Sequence, residues 1–257
     1  MKLPFTPSAL LVTAFSLALS ACSVQDHLRP ETEKCRISTF SVTTKSTDLP
    51  YGSYDEILEM DGNQTKFEYV SNRDYSFDEE GRVIKVTGFA SRSAIAETYQ
   101  YLPEVFKVIN WDKTETTFPR NEQGYQVRPG YVYNSEGYLI QTETSGELRK
   151  YTYVGGNLVK EELFNNSSAT PKSVTVYEYD LSKPNLPDES TFTGKKSRNL
   201  PTKMTITEFP SISSRTLAFS YLFDEKGQVK RRISIFVTDS SRSPYQLDDY
   251  LYTFTCQ

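Results

Sequence analysis

Apolar and polar residues alternate with a period of two along much of the chain, and short polar turns interrupt the alternation. Residues 75–86 show the pattern, with Tyr75 and Phe77 two positions apart and a polar stretch from Asp78 to Gly81 behind them. Because side chains at i and i+2 share one face of a strand, this period predicts half-buried β-strands. Asp starts a turn by bonding its own backbone, and Gly supplies the positive φ that the turn needs. The segment therefore predicts a β-hairpin.

The same unit recurs along the chain as degenerate repeats. Full copies lie at 131–142 and 219–232, a shortened copy lies at 151–160, and half-copies lie at 177–180 and 250–254. Self-similarity of this kind decides the architecture, because each copy forms one supersecondary unit that stacks on its neighbours. Consecutive hairpins with short links predict an antiparallel meander.

The predicted fold class is all-β: an antiparallel β-meander of successive hairpins, as a curled single sheet or an open, barrel-like one. Helical periodicity can be argued only over residues 94–108, where Pro103 interrupts it. The pattern predicts strands at 36–45, 64–70, 74–78, 82–89, 97–101, 131–134, 138–143, 148–154, 157–164, 173–180, 203–209, 216–223, 228–237 and 249–256.

Two proline-rich stretches break the pattern and predict long inserted loops. Residues 103–130 contain Trp111, and residues 181–202 contain the run from Gly194 to Pro201. Loops of this length are uncommon in compact domains unless they are functional or disordered.

The N-terminus predicts export. Lys2 precedes an apolar run from Ala9 to Leu19, which ends in small residues before Cys22, as in a secretory signal peptide. Leu19-Ser-Ala-Cys22 resembles the lipobox of bacterial lipoproteins, and that resemblance implies cleavage before Cys22 and its lipidation. The alternative is an ordinary signal peptide with a coincidental Cys. We expect a signal peptide at 1–21, a lipid-anchored tether at 22–34 and a single β domain at 35–257.

The two other cysteines, Cys35 and Cys256, lie at opposite ends of the predicted domain. An exported chain meets an oxidising compartment, which favours a disulfide between them over two free buried thiols. Such a bond requires the two ends of the domain to meet.

Composition argues against several classes of chemistry. With a net charge of −4 and no strongly basic segment, the chain lacks the basic surface that nucleic acid requires. The only histidine, His27, falls in the predicted tether, which argues against catalytic triads and histidine-ligated metals. No glycine-rich phosphate loop occurs, so nucleotide binding has no motif, and Asp78-Glu79-Glu80 lacks the further ligands at fixed spacing that a calcium site needs. We therefore expect no metal and no cofactor. The chain has 18 Tyr, 15 Phe and only 37% hydrophobic residues, which predicts a thin structure with rings covering a sheet.

The repeat unit resembles the tyrosine–aspartate (YD) repeats of Rhs-type proteins. More closely, the domain resembles YD-like repeat lipoproteins of Bacteroidota, a group of domains of unknown function. This resemblance rests on the order of three features along the chain: the repeats, then the run from Gly194 to Pro201, then the return to Tyr221-x-Phe223-Asp-x-x-Gly227. The chain has too few repeats to close around a cargo as Rhs shells do. The resemblance implies a fold and an outer-membrane location, with the side of the membrane left open, and it implies no activity.

Three functions remain. The first is a non-catalytic, monomeric module that binds glycan or extended peptide. Exposed rings near the first insert are its ligand-binding candidates: Trp111, Tyr125, Tyr131 and Tyr133. The competing interpretation is that these rings only cover the sheet. The second is a structural or assembly protein that binds an envelope protein through a sheet edge. The third is a glycoside hydrolase with carboxylates among Asp78, Glu80, Glu136, Asp224 and Glu225, although turns also favour these residues.

Overall fold

The computed structural model describes residues 35–45, 56–60, 63–90, 93–165, 168–188, 192–237 and 247–256. The predicted signal peptide, the lipidation site Cys22 and the tether with His27 all lie outside the described residues. Residues Cys35–Cys256 form one compact unit. No helix occurs in the described ranges, and so none there is long and apolar enough to cross a membrane.

Sixteen strands in the described ranges form one antiparallel sheet. The first eight are β1 (Cys35–Lys45), β2 (Glu56–Met60), β3 (Asn63–Phe77), β4 (Val83–Ala90), β5 (Ser93–Tyr101), β6 (Val105–Ile109), β7 (Glu115–Pro119) and β8 (Val132–Tyr133). The remaining eight are β9 (Leu139–Thr144), β10 (Glu147–Val154), β11 (Asn157–Asn165), β12 (Ser173–Pro184), β13 (Asn199–Glu208), β14 (Ser213–Phe223), β15 (Val229–Val237) and β16 (Leu247–Cys256).

The chain enters the sheet at its centre. It runs outward from β1 through β3 to β7 at one edge, crosses to β8 at the opposite edge, and returns strand by strand to β16, which pairs with β1. The predicted all-β meander is therefore confirmed, as a single open sheet in which β7 and β8 are not paired with each other. Its first and last strands meet in register at Cys35 and Cys256, and the predicted disulfide joins them.

The hairpin turns follow the predicted chemistry. In the turn between β3 and β4, the backbone N–H of Gly81 donates to the carbonyl of Asp78, and the Asp78 carboxylate accepts from the backbone N–H of Arg82 at 2.8 Å. Asn134 and Asp224 make the same bonds in the β8–β9 and β14–β15 turns. The Asp or Asn side chain thus accepts hydrogen bonds from turn backbone N–H groups that have no partner in a neighbouring strand.

The prediction of one long loop over residues 103–130 is wrong. Strands β6 and β7 occupy much of it, joined by a turn at 110–114. The pattern was missed because Val105–Ile109 is apolar at four of five positions instead of alternating, and because Pro119 suggested a loop. Proline is compatible with a strand at the edge of a sheet, where its missing donor is not needed.

The second predicted insert is a loop, but a shorter one. Strands β12 and β13 extend inward from both sides and leave residues 185–198 between them. The structure describes 185–188 and 192–198 of this stretch, and we call these described residues the insert. Its neck is closed by the backbone N–H of Asn185, which donates to the carbonyl of Arg198 at 2.9 Å.

Candidate ligand-binding cavity

Most of the Tyr-x-Tyr side chains lie on the face of the sheet that also receives the insert, which we call the inner face. Tyr75 on β3 and Leu139 on β9 line one cavity on this face. Nine strand spacings separate these strands along the sheet, which is roughly 40 Å if the sheet were flat. The sheet must therefore curl until its inner face surrounds the cavity.

The connector, residues 120–131, occupies the opening between the two sheet edges. On one side, the backbone N–H of Arg120 donates to the carbonyl of Glu104, and Val127 donates to Pro119. On the other side, the backbone N–H of Glu143 donates to the carbonyl of Gly130. Both edges are therefore engaged by the same short segment.

The connector contains a copy of the turn motif that sequence reasoning missed. Asn121 accepts from the backbone N–H of Tyr125 at 2.9 Å through its side chain, and the backbone N–H of Gly124 donates to the Asn121 carbonyl. Asn121-Glu-Gln-Gly124 has the spacing of the other turns. The signal was present, but no aromatic alternation precedes it, and so the stretch looked like loop.

Three of the four predicted ring residues lie together. Tyr125 stacks on Tyr133 with 5.4 Å between ring centroids, and the Tyr133 hydroxyl donates to the carbonyl of Gln126 at 3.0 Å. The guanidinium of Arg128 lies 5.7 Å from the ring centroid of Tyr131. These rings are half-buried, and they pack the connector against β8.

Trp111 does not join them. It lies in the β6–β7 turn and is 73% exposed. Val105 pairs with Pro119 at the connector end of this hairpin, whereas Ile109 pairs with Glu115 at the Trp111 end. The length of the hairpin, about 13 Å, therefore separates Trp111 from the connector. Binding by the four predicted residues stays a prediction, but the geometry does not make them one site.

A cavity of about 450 Å³ lies between the inner face and the insert, and we call it the inner cavity. Its volume lies within the range of small-molecule sites. Six of its lining residues are aromatic: Phe40, Tyr75, Tyr153, Tyr177, Tyr179 and Tyr252. Aliphatic side chains that include Leu139, Leu158 and Leu186 fill the spaces between the rings.

The insert forms one wall of the inner cavity. Backbone N–H groups of Lys195 and Arg198 donate to the carbonyls of Gly137 and Gly156, each at 2.9 Å, in two hairpin turns. The connector donates to the insert as well, from the N–H of Gln126 to the carbonyl of Phe192. The insert is thereby bonded to two hairpin turns of the sheet and to the connector.

A buried amide pair holds the neck of the insert. Asn157 and Asn199 exchange two hydrogen bonds, at 2.9 and 3.0 Å, and the Asn199 amide also donates to the carbonyls of Leu181 and Lys183. Since buried amides without partners are costly, this closed network fixes the position where β13 begins. Sequence reasoning missed both residues, because a single Asn beside a turn is a common surface feature.

Three tyrosines of the inner cavity have raised pKa values and are protonated at neutral pH. Burial raises the pKa of Tyr153 to about 12. Burial, together with the neighbouring Glu161 carboxylate, raises the pKa of Tyr177, and burial raises that of Tyr179. The cavity therefore offers apolar ring surface and neutral hydroxyl groups.

The charged side chains at the inner cavity are basic. Arg232, Lys195 and Lys196 line it, and none of its described lining residues is Asp or Glu. Lys196 forms an ion pair with Asp188 at 3.0 Å. The nearby Glu161 is held by Arg149 at 2.7 Å and accepts from the Tyr177 hydroxyl at 3.4 Å.

A smaller concavity of about 290 Å³ adjoins the inner cavity and shares Tyr75 with it. Its lining includes Arg73, Glu97 and Tyr99, and Phe192 of the insert covers it. The Tyr99 hydroxyl donates to the Glu97 carboxylate. Aromatic and polar surface thus continues along the inner face from β9 to β5.

The turn carboxylates have structural partners. Asp78 forms an ion pair with Arg82 at 2.7 Å, and Glu80 pairs with the same guanidinium at 2.8 Å. Asp224 accepts from the backbone of Lys226 and Gln228. In the part of the chain that the structure describes, no three His, Cys, Asp or Glu side chains cluster in a way that would hold a metal ion.

Comparison with known proteins relates the fold to two solved structures. A porin-like protein from Bacteroides uniformis ATCC 8492 superposes with a TM-score of 0.54 and 14% identity, over 85% of this chain and 98% of that chain. A porin-like protein from Bacteroides vulgatus ATCC 8482 gives a TM-score of 0.40 and 11% identity, over 86% and 99%. No family model and no curated protein matches the chain. The first likeness shows a shared fold.

Proposed function

We propose that this chain is a non-catalytic binding module of the bacterial envelope, anchored through lipid at Cys22, which holds a short glycan in the inner cavity. The lipobox-like sequence supports the anchor, and a fold shared with a Bacteroides protein is compatible with the envelope. The observation that carries the binding function is the aromatic cavity of about 450 Å³ inside the curled sheet.

The chemistry of the cavity fits a sugar better than an extended peptide. Sugars present flat apolar faces and a rim of hydroxyl groups, which match tyrosine rings and their neutral hydroxyls. An extended peptide binds by adding a strand at an open sheet edge. Here β8 has only two residues, and β7 is engaged by the connector at Pro119, so the two ends of the main strand order offer little length for strand addition.

Catalysis has less support in the geometry. Of the carboxylates that sequence alone offered for glycoside hydrolysis, Asp78 and Asp224 accept from turn backbone groups, and none of the five lines the inner cavity. A retaining or inverting hydrolase needs two carboxyl groups that flank the bond to be cleaved. The described lining of the cavity has no carboxyl group to supply this pair.

The test is a binding screen of the purified full-length protein in mild detergent against a broad glycan panel. Leu139→Trp fills the inner cavity, whereas Val132→Trp places the same bulk on the outer face of the same hairpin, where Val132 is 43% exposed. We expect saturable binding that weakens at least tenfold in Leu139→Trp and is unchanged in Val132→Trp. Absence of binding across the panel, or equal binding by both variants, would overturn the proposal.

A further inference from the structure

Arg232 occupies an unusual position on the inner face. It lies on β15 between two aromatic strands, paired in register with Tyr221 on β14 and Tyr250 on β16. Its guanidinium carbon is 4.0 Å from the ring centroid of Tyr250 and 5.6 Å from that of Phe219. The rings hold the guanidinium in place against the wall of the inner cavity, which Arg232 lines.

The charge of Arg232 is not balanced by any carboxylate that the structure describes. Its Nε is buried without a hydrogen-bond partner, and no ion pair to it occurs within the described ranges. By contrast, Arg149 on the same face is paired with Glu161. A partly buried guanidinium that lacks a counter-ion is costly, and stacking on aromatic rings offsets only part of the cost.

The other charged groups at the cavity have the same sign. Lys195 and Lys196 approach from the insert, and although Lys196 is paired with Asp188, no described lining residue is acidic. The described lining therefore has a net positive charge, in a chain whose net charge is −4. A neutral sugar cannot form an ion pair with these basic groups, whereas a ligand with a carboxylate can.

We propose that the ligand of the inner cavity is an acidic sugar, whose carboxylate pairs with the Arg232 guanidinium while its ring packs among the tyrosines. This inference rests on the proposed glycan-binding function and names its ligand class. The planar guanidinium is the side chain best matched to a carboxylate, and the surrounding rings strengthen the pairing by excluding water.

The test compares two probes that differ at one carbon: a uronic-acid disaccharide, and its counterpart in which the carboxylate is reduced to a neutral hydroxymethyl group. Binding of both to the full-length protein is measured by calorimetry at low and moderate salt. We expect the acidic probe to bind at least tenfold more tightly, since a hydrogen bond to a charged group is stronger than a neutral one.

Arg232→Met retains an unbranched apolar stem but removes the charge, and Arg232→Lys restores a charge without the planar fork. We expect Arg232→Met to abolish the preference for the acidic probe while changing affinity for the reduced probe by less than threefold. Arg232→Lys should recover part of the preference. Lys203→Met is the matched control, because Lys203 pairs with Glu178 on the outer face at 3.0 Å.

The outcomes separate the two proposals. If both probes bind equally and Arg232→Met affects neither, the acidic ligand is excluded while the binding module stands. If Arg232→Met weakens both probes equally, the guanidinium only packs the cavity wall, and the inference is again overturned. If neither probe binds and the wider panel also gives nothing, the proposed function itself fails.

Discussion

The tyrosine that ends each of three aromatic-x-Tyr pairs, at 99–101, 177–179 and 219–221, has a specific role that phenylalanine cannot fill. The Tyr101, Tyr179 and Tyr221 hydroxyls donate to the carbonyls of Val83, Leu158 and Pro201, at 3.0, 2.7 and 2.6 Å. Each bond ties a ring on the inner face to backbone outside its own strand. The preference of the repeat for tyrosine thus follows from backbone groups that need a donor.

Removing one of these hydroxyls should cost stability. We expect Tyr179→Phe to lower the free energy of unfolding by about 1–2 kcal/mol, because the half-buried Leu158 carbonyl and the Ser197 hydroxyl lose a partner. Tyr250→Phe is the control, since no hydrogen bond of the Tyr250 hydroxyl occurs among the described residues. Urea denaturation measures both variants, and equal losses would contradict this role.

Buried tyrosines also predict a loss of stability at alkaline pH. The pKa of Tyr153 and that of Tyr133 are each raised by burial to about 12, above the ordinary value near 10. Below about pH 10 both hydroxyls are protonated in the folded and unfolded states, so their contribution is fully present. Between about pH 10 and pH 12 the unfolded chain ionises first, and stability falls.

Urea midpoints measured from pH 8 to pH 11.5, with tyrosinate absorbance recorded in parallel, check this expectation. Tyr153→Phe should flatten the fall above pH 10. A wild-type midpoint that stays constant to pH 11.5 would contradict the raised pKa values.

At the scale of elements, the pairing of β1 with β16 closes the chain on itself at the centre of the sheet. Cys35 and Cys256 face each other across this pair, 221 positions apart in the sequence. A bond between such distant residues removes much conformational freedom from the unfolded chain. It secures the pair formed by the first and last of the described strands.

We expect the double variant Cys35→Ser, Cys256→Ser to lose roughly 2–5 kcal/mol of unfolding free energy. Chemical denaturation of the wild-type protein with a reductant should reproduce the loss. Cys22→Ser, the control, should leave the unfolding free energy unchanged. A double variant as stable as the wild type would show that the strand pairing alone holds the ends together.

The sequence predicts those elements whose signals are local. Tyr75, Phe77, Asp78 and Gly81 specify a hairpin within one short segment, and the corresponding turns have the predicted bonds. Strands β6 and β7 were missed because their apolar residues do not alternate. What makes them strands is contact with distant residues, such as the stacking of Phe106 on Phe192 at 4.2 Å.

At the scale of the whole molecule, the inner cavity exists only because the sheet curls and the insert folds onto its inner face. Neither event has a local signal, since the insert is fixed by distant backbone groups in Gly137, Gly156 and Gln126. Arg232 was overlooked for the same reason, because Lys230-Arg-Arg232 looks like a solvated run of charge. Sequence therefore predicted the fold class and the disulfide but placed its candidate rings on the connector and the β6–β7 turn.

The central claim is that the inner cavity holds the ligand. The most direct test is a ¹⁹F NMR titration of protein labelled with 3-fluorotyrosine, using the tightest binder from the glycan panel and Tyr→Phe variants to assign the signals. The account predicts that Tyr153, Tyr177 and Tyr179 shift saturably while Tyr131 on the connector does not. Shifts confined to Tyr125, Tyr131 and Tyr133, or no shift at saturation, would contradict it.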